Sequence, residues 1–157
     1  MVSELASPKM LYVWVPSNRR GRDGAPKAMD GLNEIIADNR ANKYNGARIE
    51  RENVEWVTWY VMQAMNRQHW QPMLDKDKAV PCKVLVTFVE TSDRRDVANV
   101  FGGGLKYTLD ALTRAQGRKG GAGAIYDDSV RWLSEVIPSI RIDPMNPGIE
   151  ITVIRSA

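Results

Sequence analysis

Nine consecutive residues, Cys82 to Glu90 (CKVLVTFVE), constrain this chain more than any other stretch. Valines dominate the run, its ends are polar and Pro81 precedes it. Branched and aromatic side chains of this kind suit a pleated, half-buried surface, so the run predicts a β-strand. A strand must bury a face against other elements, and the flanking sequence supplies them. From Ile49 to Trp70 the apolar positions Val54, Val57, Val61, Ala64 and Met65 recur at three and four residues, and Pro72 follows. That period predicts a long helix ending before the proline, with Trp56, Trp59, Tyr60 and Trp70 on it as core or dimer contacts.

The remaining punctuation is read in the same way. Met10 to Val15 predicts a first strand that stops at Pro16-Ser17-Asn18. Arg19 to Ala28 carries four cations against one aspartate and reads as an extended basic loop, and Leu32, Ile35 and Ile36 fit one or two helical turns. Beyond the strand, Leu105, Leu109 and Leu112 mark the expected buried stripe of a second helix, with Gly102, Gly103 and Gly104 at its entrance. Arg114 to Ala124, rich in glycine and cations, is expected to be a mobile loop. Ser134 to Ile142 predicts a strand that Pro138 confines to an edge or a bulge. Asp143 to Gly148 is a turn and Ile149 to Ile154 the last strand. The expected fold is a single α+β domain over residues 1–157, a small mixed or antiparallel β-sheet with packed helices.

Composition narrows the chemistry. No apolar run approaches the roughly 20 residues of a membrane helix, and the start lacks the layout of a signal peptide, so a cytoplasmic protein is expected. Cys82 is the only cysteine and His69 the only histidine. An internal disulfide, cysteine-based zinc and a histidine metal cluster are thereby excluded, and any metal must be held by carboxylates. Such ligands suit magnesium or manganese, ions that serve phosphate chemistry. The net charge of +3 is mild, so clustering of cations matters more than their sum.

Three groups of residues could carry that chemistry. Asp96 follows the best strand, beside Arg94 and Arg95; it either caps the next helix or presents a carboxylate to a ligand. Asp127 and Asp128 follow the basic glycine-rich stretch and either cap or bind a cation. Lys106 and Asp110 share a helix face at i,i+4, as a surface ion pair or with the lysine aimed at a phosphate.

Taken in order, Arg94-Arg95-Asp96-Val97-Ala98-Asn99, Lys106-Tyr107-Thr108-Leu109-Asp110-Ala111-Leu112 and Ile125-Tyr126-Asp127-Asp128 resemble the signature of the RusA family of Holliday junction resolvases. Val15-Pro16-Ser17-Asn18 and the terminal strand add to the resemblance, which is carried over about Lys83 to Ile154. It implies a metal-dependent endonuclease, bacterial or phage-encoded, that cuts four-way DNA junctions as a homodimer. Asp96 and Asp128 would be the catalytic carboxylates holding magnesium or manganese, Lys106 would assist at the phosphate, and Asp127 would be their neighbour. Arg19, Arg20, Arg22, Arg94, Arg95, Arg118 and Lys119 are the expected contacts to the DNA backbone.

The chain departs from the pattern twice. Phe101 to Gly104 is a short insertion ahead of Lys106, and Ala98 stands where the family has a third metal-binding acid. In extended chain a residue at 98 would point the same way as Asp96. Glu90 and Asp93 are the nearest acids that could replace it. The loss leaves two alternatives open beside a junction resolvase: a branched-DNA-binding protein without cleavage, and a nuclease for another branched substrate such as a flap or fork.

Overall fold

The computed structural model describes residues 8–41, 43–117 and 119–156. Its centre is a four-stranded mixed sheet. Cys82–Glu90 forms β4 with the bounds expected, and its alternation sends Val84, Val86 and Phe88 into the core. Met10–Pro16 forms β1, Leu133–Ile142 forms β7 and Gly148–Arg155 forms β8. The strand order is β1-β8-β4-β7. β8 pairs antiparallel with both β1 and β4, whereas β4 and β7 run parallel, with Val86 opposite Pro138. Pro138 therefore lies on an edge strand, where a missing N–H costs least.

Three helices complete the domain: α2 (Lys43–Gln68) and α3 (Val97–Leu112) pack on the sheet, and α1 (Leu32–Ala41) packs against both of them. α2 buries Val57, Val61, Ala64 and Met65, as its period requires, and lies against β1. It starts earlier than expected and ends at Gln68, because His69 adopts a left-handed backbone (φ 59) that breaks the ladder. Trp70 thus follows the helix instead of lying on it. Its indole N–H donates to the Ala124 carbonyl at 3.0 Å, tying the end of α2 to a distant segment.

α3 corrects the expected stripe. Its buried face comprises Asn99, Val100, Gly103, Gly104, Tyr107, Thr108, Ala111 and Leu112, while Leu105 and Leu109 are only partly buried. The glycines belong to the helix and not to its entrance, and they let it approach its neighbours. A Cβ on Gly104 would stand 2.3 Å from Phe88 Cε1, and one on Gly103 would stand 2.6 Å from the Gly31 carbonyl carbon. Those distances are far inside van der Waals contact, so α3 can lie this close to β4 and α1 only with glycine at both places.

Both expected basic loops are hairpins. Arg19–Arg20 (β2) pairs with Pro26–Lys27 (β3), and Arg114–Gln116 (β5) pairs with Lys119–Ala122 (β6). Among the described residues no helix is long and apolar enough to cross a membrane.

Candidate functional site

The turn from β4 into α3 is held by Arg95. Its guanidinium donates from Nε and Nη2 to the two oxygens of Glu90 at 2.7 and 2.8 Å, and from Nη1 to Glu34 at 2.6 Å. Nη2 also reaches the Met29 carbonyl at 2.8 Å. Burial would lower the pKa of Arg95, but hydrogen bonding and charge from Glu90 and then Glu34 outweigh it and hold the value above the ordinary one. Glu34 is pushed up by burial and pulled down by backbone hydrogen bonding and by Arg95, with a net shift below the usual carboxylate range.

Arg19 joins the same network. It donates to the Ala28 carbonyl at 2.9 Å and pairs with Asp30 at 3.2 Å and Glu34 at 3.6 Å. Asn53 donates to Asp30 at 3.0 Å and the Tyr107 hydroxyl donates to the Asp30 carbonyl at 2.8 Å. Asn99, the last residue of the Arg-Arg-Asp motif, accepts the Asn33 N–H at 2.6 Å and so caps α1 from outside that helix. Arg19 and Arg95, expected at the DNA backbone, are therefore bound inside the protein and fasten α1 to the β4–α3 turn. Glu90, named as a substitute for the missing acid, is likewise held through both oxygens by Arg95, a pair with which any metal would compete.

The expected catalytic residues divide between the two ends of α3. Asp96 occupies the N-cap position with extended backbone, makes no capping hydrogen bond through its side chain, and is exposed together with Asp93 and Arg94. Ala98 is the second residue of α3, where two residues turn the helix by about 200°. Positions 96 and 98 therefore do not share a direction as they would in extended chain. Lys106 is 66% exposed and stands 3.9 Å from Glu50 of α2.

Asp110, Asp127 and Asp128 lie near the other end, where they line one groove of about 700 Å³. The chain reaches this place because the Gly123 and Ile125 N–H groups donate to the Thr113 and Leu112 carbonyls at the end of α3. Glu50, Arg51, Glu55, Trp59 and Met62 supply the α2 wall, and Arg114 stands over the Tyr126 ring at 3.9 Å. The groove thus gathers several carboxylates, two arginines and an indole that is 56% exposed. Reading only the buried period of α2 misses its wall, although Arg51, Glu55, Trp59 and Met62 also recur at three and four residues.

From Asp96 to Asp110 the helix rises about 21 Å, and Asp96 is not among the residues that line the groove with Asp128. Among the described residues no group of three or more His, Cys, Asp or Glu side chains could hold a metal. Arg20 is exposed and donates to the Gly24 carbonyl within its own hairpin at 3.1 Å. Arg118 and the Lys119 side chain lie outside the described residues. Comparisons with protein-family models, with curated proteins and with solved structures find no match to this chain.

Proposed function

We propose that the protein is a metal-dependent endonuclease that cuts branched DNA, with four-way junctions as the preferred substrate. The observation that carries this reading is the gathering of Asp110, Asp127 and Asp128 in one groove, with Lys106 one helical turn from Asp110. Two of the three motifs that resemble the RusA signature contribute to that groove, although they are separated in sequence by the β5–β6 hairpin. Lys106, largely exposed, can offset charge on a phosphate oxygen. Arg94 and Arg20 remain at the surface as contacts for the DNA backbone.

Asp96 belongs to this site only if two copies build it together. Asp96 caps the far end of α3 and does not line the groove, so an ion bound by both acids is read as taking Asp96 from one copy and Asp128 from another. A two-fold dimer forms two such sites, as paired incision of a junction requires. The test is cleavage of junction, fork, flap and duplex substrates at one salt concentration with magnesium, with manganese and with chelator. Metal-dependent cutting of the junction above the others supports the reading, and no cutting of any substrate overturns it.

A second reading, a branched-DNA-binding protein without cleavage, is favoured by Ala98, which stands where the resemblance has an acid. Tight binding of the junction with no cutting under any metal would select it.

A further inference from the structure

One face of α2 carries a second concavity beside the acidic groove. Glu52, Glu55, Trp56, Trp59 and Tyr60 recur at three and four residues, and with Asn18 beyond β1 they line a pocket of about 530 Å³. Three of its walls are aromatic. Tyr60 stands edge to face with Trp56 at 5.2 Å between ring centroids and with Trp59 at 4.9 Å, at interplanar angles of 60° and 80°. The Trp56 indole N–H donates to the Pro16 carbonyl at 2.7 Å, which fixes that ring in place.

The polar groups of this pocket are acceptors. Glu52 and Glu55 are exposed carboxylates, and none of the residues lining the pocket is a lysine or an arginine. Glu52 has a loose pair with exposed Arg48 at 3.7 Å. Asn18 is turned the same way by a chain of hydrogen bonds. The Asp30 carboxylate takes the Asn53 amide N–H at 3.0 Å, so the Asn53 oxygen is left to accept, and it accepts from Asn18 Nδ2 at 3.0 Å. The amide oxygen of Asn18 is therefore the group that this chain does not engage.

We infer that this pocket binds an alkylammonium group, the end of a free polyamine or of a lysine side chain. Aromatic faces attract a cation through their quadrupole, and three acceptors match the three N–H donors of an ammonium, which has no acceptor of its own. Because the rings stand steeply to one another, a compact ammonium can touch several at once, whereas a planar guanidinium stacks on one. A phosphate or carboxylate would meet two like charges. Glu55 and Trp59 also line the acidic groove, so the bound cation lies beside it. The inference stands apart from the nuclease reading, since its test involves neither DNA nor cleavage.

Titration of the full-length chain with n-butylammonium at constant ionic strength decides it, read from the Trp56 and Trp59 indole N–H signals in NMR. Butylammonium is expected to shift both saturably and n-butanol neither. Glu55→Gln and Trp59→Leu, each folded by circular dichroism, should weaken binding about tenfold, with Trp56 as the probe where Trp59 is changed. Trp59→Phe should recover part of the loss, because it restores a ring face. Spermidine and a peptide with one lysine separate the two sources: whichever binds more tightly identifies the natural cation as a free polyamine or as a side chain of a protein. No shift at tens of millimolar butylammonium, an equal response to butanol, or binding unchanged in either Glu55→Gln or Trp59→Leu would each overturn the inference.

Discussion

Arg95→Ala tests the assignment of Arg95 to the fold instead of to DNA. The side chain is 21% exposed and its partner Glu90 only 6%, and the substitution leaves Glu90 in the core without a cation. Removing one partner of a buried pair costs roughly 3 to 5 kcal/mol, and the partial exposure of Arg95 reduces this to about 3 kcal/mol. For a chain of this length that corresponds to a fall in Tm of roughly 6 to 12 °C. Arg95→Lys keeps the charge but loses the fork that grips both oxygens, so a cost near half is expected.

The pH dependence supplies a second readout from the same variant. Glu34 is held below its ordinary value in the folded state, partly by Arg95. Its contribution to stability is therefore complete above the ordinary carboxylate range and is lost as pH falls through the folded value. Without Arg95 the loss of stability in acid should be shallower than in the unmodified protein. Urea unfolding at neutral pH and across the acidic range measures both effects. An Arg95→Ala protein as stable as the parent, but impaired in DNA binding, would refute the structural role.

Other substitutions probe packing and the groove. Gly104→Ala drives a Cβ into the Phe88 ring and should cost about 2 kcal/mol or more, whereas Gly120→Ala, with open space around it, should change thermal unfolding little. Trp70→Phe removes the donor to the Ala124 carbonyl and should destabilise by about 1 to 3 kcal/mol in urea titrations. Lys106→Ala should slow metal-dependent junction cutting while changing junction affinity and thermal stability little, since this exposed side chain holds only a loose pair with Glu50.

Legibility in the sequence follows how much of each element's role is carried by apolar pattern. β4 is readable to the residue because its inward side chains alternate and both its ends are polar. The packed face of α3 is less so, because half of it, Asn99, Gly103, Gly104 and Thr108, leaves no hydrophobic signal. Of the leucines that do signal, Leu112 is fully buried, whereas Leu105 and Leu109 are only partly so. The hairpins of two to four residues per strand are too short for any period to register, and glycine turns within them resemble loops.

Among the site residues, the grouping of Asp110, Asp127 and Asp128 was within reach of motif spacing, since all three lie close to the end of α3. The internal pairing of Arg19 and Arg95 was not. Their shared partner Glu34 lies 61 residues from Arg95 in the chain, and only the fold brings them together. Charge type alone does not distinguish an arginine that meets phosphate from one that holds two carboxylates.

The most direct measurement is cleavage of a labelled four-way junction by heterodimers of Asp96→Asn and Asp128→Asn chains, co-expressed with different tags and supplied with manganese. If each site takes Asp96 from one copy and Asp128 from the other, the mixed dimer retains one intact site. It should nick the junction, while each variant alone binds the junction without cutting and the unmodified dimer cuts both strands. Cutting by the unmodified protein with an inert mixed dimer would contradict the shared site. A protein that cuts no junction with any divalent metal would contradict the nuclease reading itself.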